Sequence, residues 1–203
     1  MATILHIDSS ARQTGSLSRQ LGGELVAKLQ AANPAATVAR RDVAQNPLPH
    51  LTESLIGAFF TPAEQRNADQ AYAIKTSDAL VDELLAADTI VIGTPMYNFS
   101  VGSSLKAWID HVARAGRTFQ YGANGPEGLV TGKKVYVVVA SGGVYSAGPA
   151  AGYDHVTTYL RAALGFLGMT DVTFILAEGV AMGEAAVADA TAKARSQIDA
   201  IAG

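Results

Sequence analysis

The sequence contains no cysteine and only one tryptophan among its 203 residues. The lack of cysteine excludes disulfide bonds, thiolate metal sites, iron–sulfur clusters and a cysteine nucleophile. No stretch approaches the ~20 consecutive apolar residues that span a membrane. The N-terminus also lacks the charged start and apolar core of a signal peptide. We therefore expect a cytoplasmic protein without a membrane segment.

Charged residues are scarce as well. The chain has 15 Lys and Arg against 18 Asp and Glu, a formal net charge of -3. The basic residues form no long run, so nothing favours nucleic-acid binding, which usually leaves a basic face. The four histidines show no metal-ligand spacing, so no metal site is predicted. His6 falls in a predicted core strand, where we expect its hydrogen bonds to be satisfied.

Short β-branched runs alternate with helical patterns along the chain. Strands are predicted over residues 3–8, 36–43, 89–93, 134–140 and 172–177, and helices over residues 17–29, 61 to about 87, 105 onward, 153–167 and 184–201. Residues 44–60 show no clean period and predict an irregular excursion. Residues 61–64 have the spacing of a capping box with Pro62 at the first helical position. Residues 114–131 predict a loop with a strand-like piece at 118–121 and a turn at 124–126.

This alternation predicts an α/β fold, a five-stranded parallel sheet with helices on both faces. With 49% hydrophobic residues, the chain can bury the core of one domain, and a single domain over residues 1–203 is expected. Five strands in this length favour the flavodoxin-like order 2-1-3-4-5. Strands 1, 3 and 4 are adjacent in that order, so the loops after them should meet at the ligand-binding edge of the sheet.

The first of these loops carries three hydroxyl side chains, Ser10, Ser16 and Ser18, beside the free N–H groups of a starting helix. Such a helix end carries about half a positive charge and binds phosphate without a lysine. The sequence has no Gly-x-Gly-x-x-Gly, and residues 128–134 fall one residue short of a Walker motif. The loop therefore suits a terminal monophosphate such as that of FMN. The alternative is that Ser16 is only an N-cap.

The second loop reads Pro95-Met96-Tyr97-Asn98-Phe99 and is too rich in large side chains for a simple turn. It is predicted to meet the face and edge of a flavin, with the backbone N–H groups of Asn98 and Phe99 directed at ring N5 and O4. The alternative is that these side chains pack under a neighbouring helix.

The third loop reads Ser141-Gly142-Gly143. Its glycines place no side chain in the way of a close backbone approach. Its N–H groups are predicted to bond the pyrimidine O2, where negative charge gathers in a reduced flavin. The alternative is an ordinary Gly-Gly turn.

Taken together, these motifs resemble those of the FMN-dependent NADH-azoreductases, also described as FMN-dependent NADH:quinone oxidoreductases. Besides the three loops, the resemblance rests on the residues that follow: Leu105, Lys106, Ala107, Trp108, Ile109, Asp110, Gly116, Thr118, Phe119, Tyr121, Gly125, Pro126, Gly128, Leu129, Val144 and Tyr145. It implies a homodimer with two FMN sites at the subunit interface, and NADH or NADPH as electron donor. The acceptors it implies are quinones and azo dyes, with nitroaromatics as a further class.

The resemblance also assigns residues. The implied cofactor contacts are Ser10, Ser16, Ser18, Pro95, Met96, Tyr97, Asn98, Phe99, Ser141, Gly142 and Gly143. The chain departs from the family at three positions. Leu17 stands where a polar residue such as Gln is common, Ser141 where some members have Arg, and Tyr145 where those members have His.

The implied mechanism is a two-step exchange in which NAD(P)H reduces the flavin at N5 and leaves, and an acceptor then binds the same face. An azo bond requires two such rounds. The predicted catalytic residues are Asn98, Tyr121 and Tyr145, and further candidates for substrate contact are Phe59, Phe60 and Phe119. The competing interpretation is a flavodoxin-like electron carrier or a flavin-binding regulatory module. Carriers tend to be strongly acidic, and a net charge of -3 is mild for that role.

Overall fold

The computed structural model describes residues 2–202, so the predicted domain ends at residues 1 and 203 lie outside the described range. The strands are β1 (Thr3–Asp8), β2 (Thr37–Asp42), β3 (Thr89–Pro95), β4 (Phe119–Gly122), β5 (Gly125–Gly128), β6 (Lys134–Ala140) and β7 (Asp171–Ala177). The helices are α1 (Leu17–Ala32), α2 (Glu53–Phe60), α3 (Ala68–Ala86), α4 (Ser103–Val112), α5 (Thr157–Phe166) and α6 (Glu184–Ala202). Two short 3-10 turns cover Ala63–Gln65 and Ala151–Tyr153.

Five parallel strands form the main sheet, in the order β2-β1-β3-β6-β7. The predicted order 2-1-3-4-5 does not hold as written for the whole chain, because β4 and β5 form a separate antiparallel hairpin. The predicted strand at 118–121 is β4. The turn predicted at 124–126 lies slightly earlier, at residues 123–124, since β5 already begins at Gly125.

Helices cover both faces of the main sheet, as predicted, because alternate strand residues enter two separate cores. On one face, Val91 and Val138 pack with residues of α1 and α6. On the other face, Ile90, Ile92 and Val137 pack with residues of α3, α4 and α5. Strands buried on both faces need apolar residues throughout, which explains the continuous β-branched runs. None of the helices within residues 2–202 has the length and apolar character needed to cross a membrane.

The segment before α3 differs from the prediction. Residues 53–60 form α2, whose first turn is capped by the Thr52 side chain accepting from the Leu55 N–H. The capping box predicted at residues 61–64 is wrong, because Pro62 only precedes a single 3-10 turn. The capping box lies at Asn67, whose side chain accepts from the Gln70 N–H while the Gln70 side chain accepts in return. The long helix therefore begins at Ala68.

Other elements differ from the prediction only at their ends. β3 continues two residues past Gly93, because Thr94 and Pro95 still pair with β6. The helix predicted from 153 begins at Thr157, because the Asp154 carboxylate accepts the N–H groups of Val156 and Thr157 and so starts the helix there. The paired ends of β1, β3, β6 and β7 lie at one edge of the sheet, and the three predicted loops leave from this edge.

Candidate functional site

A cleft of about 380 Å³ opens at the carboxyl edge of the sheet. This volume lies in the range of small-molecule sites, and the position is that of ligand sites in open α/β sheets. Its lining combines all three predicted loops with the start of α6: Ser10, Arg12, Gly15, Ser16, Leu17, Ser18, Pro95, Met96, Tyr97, Ala140, Gly142, Val180 and Val187. Of the eleven predicted cofactor contacts, Asn98, Phe99, Ser141 and Gly143 are not among the lining residues.

The N-terminus of α1 opens into this cleft without a cap. Ser16 occupies the N-cap position with extended backbone, but its side chain makes no capping hydrogen bond. Within residues 2–202, the N–H groups of Leu17, Ser18 and Arg19 have no acceptor, and the first helical bond is donated by Gln20. The first turn also carries no acidic residue. This helix end therefore presents free donors and the positive end of the helix dipole to a ligand.

The three serine hydroxyls lie around this helix end. Ser16 Oγ and Ser18 Oγ are 3.3 Å apart, and Ser18 is fully buried. Ser10 Oγ accepts from the Arg12 N–H at 3.2 Å and lies 3.5 Å from the Tyr97 hydroxyl of the second loop. The first and second loops are thus already in contact at the mouth of the cleft.

Arg19, in the first turn of α1, holds the first loop in place through hydrogen bonds to its carbonyl groups. Its Nε donates to the carbonyls of Ser10 and Arg12 at 3.2 and 3.0 Å, and its Nη2 donates to Ser10 at 2.6 Å. The same guanidinium forks onto the Asp42 carboxylate at 2.6 and 3.0 Å. Burial alone would raise the pKa of Asp42, but the bonds from Arg19 and the Gln45 N–H outweigh it and lower that pKa.

The second loop contains two consecutive residues in left-handed backbone, Asn98 with φ 49° and Phe99 with φ 69°. Asparagine tolerates this region, but for phenylalanine it is strained and costs about 1–2 kcal/mol. The turn is closed by paired backbone bonds between Tyr97 and Ser100. Strained backbone of this kind gathers at functional sites.

Residues from beyond β6 hold this strained turn in place. The His155 N–H donates to the Phe99 carbonyl at 3.0 Å. The Phe99 ring packs against Tyr153 with centroids 5.1 Å apart and meets Tyr145 edge-on at 6.0 Å. Phe99 remains 45% exposed, so it does not pack under a helix.

The third loop folds back on itself. Ser141 Oγ donates to the Gly143 carbonyl at 2.9 Å, so this side chain is directed into its own loop. A Cβ at Gly143 would lie 3.2 Å from the Tyr145 ring, so glycine lets that ring lie against the backbone. Gly142 lines the cleft directly.

The predicted catalytic side chains do not gather at one point. Tyr145 and Asn98 lie in the loops at the cleft, but Tyr121 is 75% exposed on β4 and contacts Phe119 at 5.6 Å. Phe59 lies under the Arg114 guanidinium at 4.5 Å, which leaves only Phe60 of that pair exposed. Neither Phe119 nor Tyr121 is among the residues that line the cleft.

The hydrogen bonding of the buried His6 differs from the prediction. Its Nδ1 accepts from Arg40 at 3.0 Å, but its Nε2 has no hydrogen-bond partner within residues 2–202 and faces Asp8 Oδ1 at 3.6 Å. The expectation of a fully satisfied histidine is therefore wrong. Burial, with a smaller contribution from Arg40, lowers the His6 pKa to about 4. Across the described residues, no group of three or more His, Asp or Glu side chains is arranged to hold a metal.

Several site residues were not predicted. Arg12 and Val187 line the cleft, and Arg19 with Asp42 forms its support. The Arg19–Asp42 pair had a signal in the sequence, because the strand order 2-1-3 places the end of β2 beside the first loop. Val187 had none, since the start of α6 reaches the cleft only through the path of the connection after β7.

Comparison with known proteins agrees with the observed fold. Residues 2–202 match the family described as having a flavodoxin-like fold. The chain is 57% identical over 199 residues to the FMN-dependent NADH:quinone oxidoreductase of Herminiimonas arsenicoxydans, covering 98% of each chain. It is 55% identical over 201 residues to the protein of that name from Burkholderia thailandensis, covering 99% of this chain and all of the relative.

Among solved structures, the azoreductase of Bacillus anthracis str. Sterne superposes with a TM-score of 0.93 at 28% identity, over 100% of this chain and 99% of that chain. The full-length identities to the curated relatives far exceed what a shared fold alone requires. The chain therefore belongs to the FMN-dependent NADH:quinone oxidoreductase family, with a flavodoxin-like fold.

Proposed function

We propose that this chain is an FMN-dependent oxidoreductase that passes two electrons from NADH or NADPH to quinones and, in two rounds, to azo compounds. The observation that carries the proposal is one cleft lined by all three loops, in which the lining residues Leu17, Ser18 and Gly142 have unpaired backbone N–H groups. Family membership supplies the cofactor and the reaction type. When bound, FMN supplies hydride acceptance and two-electron donation.

The phosphate end of FMN fits the N-terminus of α1. Three unpaired N–H groups and the hydroxyls of Ser16 and Ser18 meet there, and no carboxylate stands in the first turn. These donors suit a terminal phosphate and need no lysine. In this proposal, Ser10, Ser16 and Ser18 bind the phosphate.

The ring end fits the second and third loops. Asn98 and Phe99 have N–H groups without an acceptor in the described chain, held by a closed and strained turn. Met96 and Tyr97 line the cleft between this turn and the phosphate loop, as required of side chains that contact the ribityl chain. In the proposal these four residues, with Pro95, Ser141, Gly142 and Gly143, orient the ring and exclude water from one face.

Steady-state kinetics test the reaction. Purified protein saturated with FMN should oxidise NADH when a benzoquinone is added, and should bleach an azo dye with two NADH consumed per azo bond. Double-reciprocal plots at several quinone concentrations should be parallel if donor and acceptor share one face. Intersecting lines would reject the shared face, and absence of NADH oxidation with flavin bound would favour the carrier or regulatory module.

A homodimer forms part of the proposal. Tyr121 is exposed, packs on Phe119 and does not line the cleft of its own chain, which supports a catalytic contact at the cleft of a second copy. Mixing a Tyr121→Ala chain with a Gly142→Val chain should then restore one intact site per mixed dimer. Recovery of quinone reduction on mixing is the expected result, and a monomeric elution volume would reject this step.

Further parts of the proposal need their own measurements. The single-domain organisation over residues 1–203 is tested by limited proteolysis, which should leave one core fragment. The cytoplasmic location predicted from the sequence is tested by cell fractionation. Nitroaromatics as a further acceptor class are tested in the same NADH assay.

A further inference from the structure

Residues 178–181, in the connection between β7 and α6, are hydrogen-bonded to all three residues of the third loop. The Val180 N–H donates to the Ser141 carbonyl at 3.1 Å and the Ala181 N–H to the Gly142 carbonyl at 3.0 Å. The Gly179 N–H donates to the Gly143 carbonyl at 3.0 Å. Three successive carbonyls of the loop are therefore directed at one neighbouring segment.

Peptide geometry then fixes the direction of the loop's donors. The described chain has no cis peptide bond, and in a trans peptide the C=O of one residue and the N–H of the next point in opposite directions. Because the carbonyls of residues 141–143 face the connection, the N–H groups of Gly142, Gly143 and Val144 face away from it. None of these three N–H groups has an acceptor within residues 2–202.

Glu178 fixes the far end of the same loop. Its Oε1 accepts from the N–H groups of Tyr145 and Ser146 at 2.6 and 2.9 Å, and its Oε2 accepts from the Ser146 hydroxyl. Carboxylate bonds of this kind are roughly twice as strong as neutral ones. One side chain thus ends the row of free donors and holds Tyr145, whose ring lies against Gly143.

We infer that residues 178–181 hold the third loop in its conformation. In this inference Glu178 is a positioning residue that raises the affinity of the site for reduced FMN relative to oxidised FMN. The inference rests on the proposed function, because it requires FMN in the cleft. A row of N–H groups binds anions, and reduction gathers negative charge at the pyrimidine end of the ring. A fixed row therefore stabilises the reduced form more than the oxidised form.

Two effects of Glu178 have opposite signs, which makes them separable. Its negative charge disfavours an anionic flavin, whereas its hydrogen bonds hold donors that favour one. Glu178→Gln removes the charge but keeps an oxygen for the two N–H groups and an amide for the Ser146 hydroxyl. Glu178→Ala removes charge and contacts together. Comparing the two variants tells positioning from charge.

The measurement is the reduction potential of bound FMN, obtained by anaerobic titration of holoprotein against a redox dye. The ratio of interest is the dissociation constant of oxidised FMN divided by that of reduced FMN. Glu178→Ala should lower this ratio about tenfold, which lowers the reduction potential of bound FMN by ~30 mV for a two-electron couple. Glu178→Gln should stay within about threefold of wild type. Ser146→Ala removes one of the three contacts and should shift the ratio about threefold in the same direction as Glu178→Ala.

Glu184→Ala is the matched control, because it removes an exposed carboxylate from the first turn of α6 without touching the third loop. Its potential should equal that of wild type. Equal rises in potential for both Glu178 variants would show a pure charge effect and overturn the inference. Unchanged potentials with a lowered melting temperature would reduce Glu178 to a structural role and also overturn it. Wild-type protein that binds no FMN would instead defeat the proposed function itself.

Discussion

Arg19 shows how a side chain that does not line the cleft can hold a loop of the cleft in place. Its guanidinium donates to two carbonyls of the first loop and to both oxygens of Asp42 on β2. Only a planar fork can satisfy acceptors on two sides at once. The conformation that carries Ser10 therefore depends on a side chain in the first turn of α1.

We expect Arg19→Lys to weaken FMN binding about tenfold, which corresponds to ~1.4 kcal/mol, because a lysine ammonium cannot bond both carbonyls and the carboxylate. The measurement is quenching of flavin fluorescence on titration with apoprotein. The matched control is Arg195→Lys, since Arg195 makes a similar fork on Glu24 at the exposed surface between α6 and α1. Equal affinities for all three proteins would contradict the role of Arg19.

The buried His6 makes the free energy of unfolding depend on pH. Its pKa is lowered by burial and by Arg40 to about 4, against 6.5 in the unfolded chain. Between these pH values the unfolded state binds the proton and the folded state does not. The free energy of unfolding therefore falls as the pH falls from 6.5, and the decrease due to His6 is complete below pH 4. The nearby Asp8, whose pKa burial raises, offsets part of this loss.

At pH 4.5 we expect the His6 effect to amount to about 2–3 kcal/mol relative to pH 7. Urea unfolding of apoprotein at both pH values measures it. His6→Gln should show a correspondingly smaller drop in stability between the two pH values, whereas His50→Gln, at an exposed position, should behave as wild type. Identical drops in all three proteins would show that His6 does not titrate in this way.

At the scale of elements, the strands were predictable because burial on both faces demands continuous apolar runs, as in β3 and β6. The helix α2 was not predicted, because its eight residues are fewer than the window of about 11–18 in which a helical period can be recognised. The capping box was misplaced for a related reason. Residues 61–64 have the right residue types, but Pro62 opens only one 3-10 turn, and the capping bonds form at Asn67.

The sequence predicts which three loops form the site, but not the contacts that hold these loops in their conformations. Hydroxyls and glycines at strand ends are visible in a sequence, and the sheet order brings them together. The left-handed backbone at Phe99 and the bonds from residues 178–181 depend on tertiary contacts between segments far apart in the chain. No local pattern of residues indicates such contacts.

The β4–β5 hairpin docks through a contact between two glycine backbones. A Cβ on Gly128 would lie 2.1 Å from the Gly168 nitrogen, just after α5, and Gly168 itself has φ +102°. We expect Gly128→Ala to destabilise the protein by ~3 kcal/mol, since backbone atoms cannot move aside as a side chain can. Urea unfolding tests this. Gly122→Ala in the same hairpin, with its nearest neighbour 3.7 Å away, should cost much less.

At the scale of the whole molecule, the cleft joins segments that follow three different strands and the start of α6. The unfolded chain has no such site, so FMN binds the folded state alone and stabilises it. At free FMN 100-fold above its dissociation constant, the free energy of unfolding should rise by about 2.7 kcal/mol. For a chain of this size that is a rise of roughly 5–10 °C in melting temperature.

Riboflavin separates the contribution of the phosphate from that of the ring, because it lacks only the phosphate. It should raise the melting temperature of wild type less than FMN does at equal concentration. Ser18→Ala, which removes a buried hydroxyl at the start of α1, should narrow this difference, whereas Ser196→Ala on the exposed face of α6 should leave it unchanged. If riboflavin and FMN stabilised wild type equally, the α1 terminus would not be the phosphate site.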